Sequence, residues 1–422
     1  MTASLTSGSR VGASGPLATL LLVLTVFGPI SMDLYLPALP ALTTELGAAT
    51  STAQLTVTAC LIGLAAGQLI AGPLSDRFGR RGPALIGVTA YVLVSALCAA
   101  SPTVELLIAA RLVQGLAGGV GIVIAQAAGR DVYEGGNLIR FYGRLTVIGG
   151  LAAVVGPLVG GALTTILDWR GLFLVLAVVG ALILAWAALG LPETLAPGGR
   201  TAAGFAVIWR DMQTLFSDRL FVGAVVAQGF VYAALFAYLS GATYVLQGVY
   251  GLSPQAYALA FGLNSAGFMV FGYLAGRFSE KWSVVGTLAV GLVIVALGAV
   301  GVLIAGLASV PLAVVIVALF LLAAGTAVTS PPSTTLALAD YAQIAGTASS
   351  VLGAARFAFG GIAAPLVGVA GALSILPLGL VTTVAVAAAG VTAALLLRRP
   401  AQVTAPAGTT HSVTKGPLAC VE

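Results

Sequence analysis

Apolar runs of about 20 residues recur along this chain, and short polar breaks separate them. A run of roughly 18 apolar residues can cross the hydrocarbon core of a bilayer as a helix, which satisfies its own backbone hydrogen bonds. About twelve such runs occur, and they predict an all-α membrane protein. The predicted spans are residues 17–38, 53–74, 83–101, 104–127, 142–165, 171–191, 221–245, 255–277, 283–306, 310–332, 347–369 and 373–397.

The longest polar break lies in the middle of the chain and divides the spans into two sets of six. We therefore predict two six-helix bundles joined by a linker and flanked by a short arm and a tail. The predicted boundaries are 1–16 for the arm, 17–191 for the first bundle, 192–220 for the linker, 221–397 for the second bundle and 398–422 for the tail.

Apolar residues recur at helical spacing within the linker, from Phe205 to Phe216, and polar residues fill the other face. This pattern is typical of a helix that lies along the membrane surface. The alternative is a plain linker with chance periodicity. In either case the linker keeps several arginines beside the membrane.

A short internal repeat supports the division into halves. GPLSDRFGRR from Gly72 aligns with GYLAGRFSEK from Gly272, and both segments close the second span of their half. Duplication of a six-helix unit explains this match. Parallel repeats of this kind are a secondary-transporter architecture, with substrate bound near the midplane between the halves.

Composition excludes most other classes. Only 7% of the residues are charged and the mean hydropathy is +1.09, so a soluble enzyme of this length could not cover its apolar surface. The net charge of +5 comes from Lys and Arg in breaks on one side of the membrane, not from a clustered basic face, so no nucleic-acid partner is expected. By the positive-inside rule we expect a multi-pass protein of the cell membrane with both termini cytoplasmic.

Cysteine and histidine give no sign of a metal centre. Cys60 and Cys98 fall inside apolar runs, Cys420 and His411 lie in the predicted tail, and no spacing suggests a metal site or a disulfide framework. We expect no metal and no cofactor.

Three charged residues fall inside predicted spans: Asp33, Arg111 and Arg356. A lone charge in the bilayer costs at least about 2.5 to 3.5 kcal/mol, so each should face a partner or a wet cavity. Asp33 and Arg111 lie at similar depth, so a pair between them is geometrically feasible. The structural alternatives are a turn cap for Asp33 near Pro37 and Pro40, and helix clamps for the two arginines.

The loop between the second and third spans concentrates charge in a very short turn. Glycine at its start lets helices approach closely, a later glycine permits the tight turn, and the acidic residue can pair with an arginine. Such a cluster can latch neighbouring helix ends in one conformation, or it can act only as a topology anchor. Its members are Gly72, Asp76, Arg77, Gly79, Arg80 and Arg81.

This loop resembles the signature of the major facilitator superfamily, whose fold has twelve transmembrane helices in two six-helix bundles. Further motifs resemble the bicyclomycin/chloramphenicol-resistance (Bcr/CflA) group of drug:proton antiporters. They are SMDLYLPALP at 31–40, RLVQGLAGGVG at 111–121, RDVY at 130–133, GPLVGG at 156–161, PETL at 192–195 and AGTASSVLGAARFAFG at 345–360.

The resemblance implies a functional role for Arg111 and for an antiporter motif in the fifth span, which favours export over uptake. That motif comprises Gly149, Gly156, Pro157, Gly160 and Gly161. Aromatic and amide side chains near the first, seventh and eighth spans can line a substrate cavity with stacking faces and hydrogen-bonding groups. The cavity candidates are Asp33, Tyr35, Arg111, Tyr232, Phe236, Tyr238, Asn264 and Arg356.

These observations lead to one mechanistic hypothesis. Asp33 takes up a proton and, through Arg111, biases the two halves to close around or release a small drug. One buried acidic residue and two buried arginines favour a neutral or zwitterionic substrate, such as an amphenicol- or bicyclomycin-like drug. The alternatives are a permease for a small metabolite on the same fold, and an intramembrane enzyme, for which no paired carboxylates or activated nucleophile are present. We expect the transporter to work as a monomer.

Overall fold

The structure is a computed structural model that describes residues 15–195, 205–281, 283–308, 310–341, 344–368 and 374–396. The predicted tail and nearly all of the predicted arm lie outside these ranges. Within them, twelve helices are long and apolar enough to cross a membrane. The hydropathy pattern therefore predicted the all-helical membrane fold correctly.

The first half contains α1 (Gly15–Asp33), a short α2 (Leu39–Glu45), α3 (Thr50–Phe78), α4 (Arg81–Ala99), α5 (Val104–Val132), α6 (Gly135–Leu163) and α7 (Trp169–Gly190). The linker carries α8 (Phe205–Ser217). The second half contains α9 (Arg219–Tyr244), α10 (Pro254–Lys281), α11 (Val284–Leu307), α12 (Leu312–Leu338), α13 (Ala345–Ala363) and α14 (Leu376–Leu396).

The first span is longer than predicted and is broken. Its helix α1 ends at Asp33, a 3₁₀ turn follows at Leu36–Ala38, and α2 carries the span on to Glu45. The cause is the pair Pro37 and Pro40, because proline has no backbone N–H to donate to the preceding turn. The predicted end at residue 38 was wrong, and Asp33 lies at an interruption deep inside the span.

Small residues bring the helices of each half into close contact. In the first half α3 packs on α5, where a side chain at Gly115 would overlap the carbonyl of Cys60. In the second half α11 packs on α12 in the same way, with Gly298 against the backbone of Leu322. Backbone contact at this distance is typical of membrane helices, which gain van der Waals contact from small residues.

The two halves meet along two helix pairs, α3 with α13 and α6 with α10. We call the end that carries Arg77, Arg80 and Arg81 the arginine-rich end, and the end that carries α2 the opposite end. At the arginine-rich end, a cavity of about 720 Å³ separates the halves and is lined by residues of α3, α5, α8 and α13. At the opposite end, hydrogen bonds join them.

Helix α8 lies in the linker, where the periodicity predicted a helix. Its Leu215 is completely buried in a cluster with Phe221 and Ala348, whereas Trp209 is 64% exposed. Side chains before Trp209 lie outside the described part of this helix. The observed side chains therefore anchor α8 to the second half, beside the large cavity.

Candidate transport site

Asp33 occupies the last position of α1, at the interface between the two halves. Only 8% of it is exposed. Gly156 of α6 leaves room for it, because a Cβ there would lie 2.9 Å from the Asp33 Cβ. Asp33 lines a small cavity of about 90 Å³ whose other walls include α9 and α10. The helix break thus places an acidic side chain directly against the other half.

Tyr238 and Asn264 line the same small cavity as Asp33. The Asn264 amide Nδ2 donates to the Tyr238 hydroxyl at 2.9 Å, and the Tyr238 ring stacks on Phe261 with centroids 5.8 Å apart. The Asn264 Oδ1 is buried and has no hydrogen-bond partner. An acceptor in this position can receive a hydrogen bond from a hydroxyl group or a protonated carboxyl group.

Arg111 is completely buried inside the first half. Its Nη1 donates to the Gln114 Oε1 at 2.6 Å and to the Ser31 carbonyl at 3.3 Å. The guanidinium also lies over the ring of Tyr35, 4.4 Å from its centroid. Aromatic faces attract a cation in this geometry. These contacts fix Arg111 against the backbone of α1.

The structure does not show the ion pair considered from sequence. Asp33 and Arg111 both lie within the described residues, and no ion pair joins them there. Asp33 faces α10, whereas Arg111 faces the core of its own half. The link between them runs through the Ser31 carbonyl, two residues before Asp33. Tyr35, a predicted cavity residue, is also completely buried in this core, where its hydroxyl bonds to that of Thr56 at 3.0 Å.

The break after Asp33 also supplies the contacts that close the opposite end. Pro40 has no N–H to continue the helical bond to the Leu36 carbonyl, so this carbonyl can accept a further bond. The donors are Thr243 of α9 and Gln247 of a π-helical turn, Val245–Val249, that follows α9 directly. Thr243 donates to the Leu36 carbonyl at 2.9 Å, and Gln247 donates to the Pro37 carbonyl at 3.1 Å. Further bonds between the halves join Thr43 with Tyr244, Gln54 with the Ser240 carbonyl, and Gln255 with the Gly161 carbonyl.

At the arginine-rich end, Arg80 is the centre of the charged loop. Its side chain bonds to Asp76 at 2.5 Å and, through Nε, to Asp131 of α5 at 2.9 Å. Burial lowers the pKa of Arg80, but the hydrogen bonds with Asp131 and Asp76 outweigh burial and raise it, so the guanidinium stays charged. Arg77 instead lies against Phe78, with its guanidinium carbon 5.2 Å from the ring centroid.

Glu193, which follows α7 at the end of the first half in sequence, binds the same loop. Its carboxylate accepts from the backbone N–H of Arg80 at 2.8 Å and of Arg81 at 3.4 Å. It packs against Gly79, whose φ of +89° is favourable only for glycine. Thr194 donates to Asp131 at 3.0 Å. Sequence reasoning did not assign roles to Asp131, Glu193 and Thr194, although they lie in the RDVY and PETL motifs.

The glycine-rich motif of α6 contacts α1 on one side and α10 on the other. Gly160 lies against the Leu34 carbonyl of α1, and Gly161 lies against Ala258 and Pro254 of α10 in the other half. A Cβ at Gly149 would meet no atom within 4 Å. Of the predicted motif, Gly156, Gly160 and Gly161 therefore form the close contacts, with Pro157 buried between them.

Arg356 and Tyr232 form a second polar group, within the second half. The Arg356 Nη2 donates to the Thr334 hydroxyl at 2.9 Å, and its guanidinium carbon lies 5.1 Å from the Tyr232 ring centroid. Phe236 packs nearby on Phe357, with ring centroids 5.7 Å apart. None of these side chains lines the small cavity at Asp33. The predicted cavity residues therefore fall into three sets. One lies beside Asp33, one lies beside Arg356, and Tyr35 and Arg111 are buried in the core of the first half.

The geometry of two helical halves with cavities between them matches a known family. The sequence model of the Major Facilitator Superfamily matches residues 21–365. The chain belongs to the major facilitator superfamily. Members of this superfamily are transporters and not enzymes, which agrees with the expectation from the sequence.

Two relatives named as drug-resistance proteins agree with the resemblance to the bicyclomycin/chloramphenicol-resistance group. The chain is 36% identical to the MFS-type transporter YdgK of Bacillus subtilis, over 84% of this chain and 88% of that protein. It is 30% identical to a chloramphenicol resistance protein of Pseudomonas aeruginosa, over 82% of each chain. It is 28% identical to a bicyclomycin resistance protein homolog of Haemophilus influenzae, over 82% of this chain and 87% of the other.

Among solved structures, the fold is similar to a bacterial homolog of the human lysosomal transporter Spinster in an inward-facing, unoccupied conformation. The TM-score is 0.72 at 16% identity, over 92% of this chain and 97% of that chain. This likeness confirms the predicted superfamily fold of twelve membrane helices in two bundles.

Proposed function

We propose that this chain exports small drugs across the cell membrane in exchange for protons. In this proposal the arginine-rich end and both termini face the cytoplasm, because basic residues between spans are retained on that side. The names of the resistance-protein relatives support drug export. The proposed carrier works as a monomer and needs no cofactor.

The observation that carries the proposal is the position of Asp33. It is the only acidic residue in the apolar interior of a span, and it lies at the interface between the halves. A charged carboxylate resists burial there, whereas a protonated one does not. Gain and loss of a proton at this position would therefore change the free energy with which the halves close on each other.

In the proposed cycle, the arginine-rich end and the opposite end of the interface open in turn. When the hydrogen bonds to the Leu36 and Pro37 carbonyls break, the opposite end opens and Asp33 becomes accessible to protons from outside. Protonation removes the charge and allows this end to close again. The protonated carboxyl can donate to the free Asn264 Oδ1, while Arg111 holds the Ser31 carbonyl and keeps α1 in place. A drug that enters from the large cavity then favours release of the proton to the cytoplasm.

One proton per cycle is sufficient for useful export. Proton entry down a potential of 100 mV supplies about 2.3 kcal/mol, which supports a concentration gradient of roughly fifty-fold for a neutral drug. The charges in the interior of the spans, one negative (Asp33) and two positive (Arg111 and Arg356), favour a neutral or zwitterionic substrate. We propose amphenicol- or bicyclomycin-like drugs as this class.

A susceptibility panel in a bacterial host without its own drug pumps tests the proposal. We expect the intact protein to raise the inhibitory concentration of chloramphenicol or bicyclomycin, and we expect Asp33→Asn and Arg111→Ala to remove that protection. Glu105→Gln, an exposed acidic residue at the start of α5, is the matched control and should protect fully. Protection that persists in Asp33→Asn would refute the proton-coupled mechanism, and accumulation of labelled drug in cells would indicate uptake instead of export.

A further inference from the structure

Arg356 is a membrane-embedded cation for which the apolar spans of the second half supply no carboxylate. The apolar spans of that half contain no acidic residue, because Glu280 and Asp340 lie just past the ends of the second and fourth of them. The ion pairs found among the described residues all involve Arg80 or Arg170. A charge inside a membrane span is costly without a counter-charge, so its retention here requires a reason.

Neutral groups orient the guanidinium, and most of its N–H groups donate no hydrogen bond to the described residues. One of its five N–H groups donates to the Thr334 hydroxyl, and the Tyr232 ring lies on one side of the plane. The buried Nε has no hydrogen-bond partner. The side chain as a whole is only partly buried, so space remains beside it. These contacts hold the planar group in one place without neutralising it.

Other polar groups around Arg356 are also neutral. Gln228 and Tyr232 of α9 both bond to Ser330 of α12, at 3.4 Å. From the first half, Gln68 packs against Gly353, one turn before Arg356, and its buried Nε2 has no hydrogen-bond partner. The Nε2 of Gln68 and the Nε of Arg356 are therefore two donors without partners, at levels about one helical turn apart along α13.

The large cavity lies less than two helical turns from Arg356 along α13. Gln68 lines that cavity, together with Ser350 of α13. Ser350 precedes Arg356 by six residues, about 9 Å along the helix. Tyr232 likewise precedes Tyr238 by six residues on α9, so Arg356 lies about 9 Å from the level of the Asp33 cavity. A drug-sized molecule can span this distance.

We propose that Arg356, positioned by Thr334 and Tyr232, binds a carboxylate group of the transported substrate. Arginine suits this task because its planar fork can donate two parallel hydrogen bonds to one carboxylate. The inference rests on the proposed function and extends its substrates from neutral drugs to zwitterions that carry a carboxylate. The opposing interpretation is a helix clamp, in which Arg356 only ties α13 to α12.

Calorimetric titration of the purified full-length protein in detergent distinguishes these interpretations. The probes are ciprofloxacin, which carries a carboxylate and a protonated amine, and its methyl ester, which lacks the carboxylate. We expect the unmodified protein to bind ciprofloxacin about ten-fold or more tightly than the ester. Equal binding of the two probes, or no binding of ciprofloxacin, would overturn the proposal without any variant being needed.

Variants then test whether Arg356 causes the preference for ciprofloxacin over its ester. Arg356→Gln should weaken ciprofloxacin binding about ten-fold while leaving ester binding unchanged, and Arg356→Lys should retain part of the preference. Arg144→Gln, which removes an exposed arginine, should have no effect. Equal weakening of both probes by Arg356→Gln would support the helix clamp and overturn the carboxylate subsite. Titration needs no proton gradient, so either result is independent of whether Asp33→Asn still exports drug.

Discussion

The hydrogen bonds from Thr243 and Gln247 to the broken first span allow a quantitative prediction about the closed end. Thr243→Val and Gln247→Leu together remove the bonds to the Leu36 and Pro37 carbonyls. Each hydrogen bond contributes about 0.5 to 1.5 kcal/mol, so the pair contributes about 1 to 3 kcal/mol. Both bonds join the two halves, so only the conformation closed at this end loses them.

A change of about 1 to 3 kcal/mol shifts the ratio of two conformations by roughly 5- to 150-fold. The double variant should therefore populate the conformation that is open at the opposite end. Pulsed electron resonance between spin labels at Ala41 and Val249, both exposed, measures this opening. The distance distribution should gain a longer component.

A matched control separates the loss of these two hydrogen bonds from a general loss of polar groups. Gln213→Leu makes the same chemical change on the exposed face of α8 and should leave the distances unchanged. If Thr243→Val with Gln247→Leu also leaves them unchanged while the protein remains folded, the carbonyls released by the proline break do not hold this end closed. The gating argument would then be wrong.

Three further predictions concern glycine and the charged loop. Gly79→Ala should destabilise the purified protein by about 1 to 2 kcal/mol in thermal melts, because its φ is +89°, whereas Gly82→Ala should not. Gly160→Val should abolish drug protection by pushing α6 away from the Leu34 carbonyl, and Gly149→Val should be tolerated. Glu193→Gln should lower the melting temperature of the protein while its drug binding, measured by titration, stays unchanged; normal melting would show that its hydrogen bonds are dispensable.

The twelve membrane helices could be predicted from sequence because hydropathy and length alone determine a membrane span. The end of the first span could not, since apolar residues continue on both sides of Pro37 and the periodicity is the same for a broken and an unbroken helix. The position of Asp33 in the interior followed from the sequence. Its orientation toward α10 depended on the packing of Gly156, which only the folded structure shows.

Pairing of charges was the least predictable part of the site. Similar depth of Asp33 and Arg111 suggested a pair, but depth along a helix does not determine which face a side chain occupies. Conversely, Arg80 pairs with Asp131, 51 residues away, and Glu193 binds the same loop from 113 residues away. A single sequence contains no signal for such distant contacts beyond the presence of acidic residues at helix ends.

Proton flux through reconstituted vesicles tests the central claim most directly. Vesicles that contain the purified protein and a pH-sensitive dye receive a gradient of chloramphenicol, and the internal pH is recorded. The account predicts that drug flow drives protons in the opposite direction with the unmodified protein and with Glu105→Gln, and that Asp33→Asn abolishes this flux. Drug-driven proton flux of normal size in Asp33→Asn would contradict it.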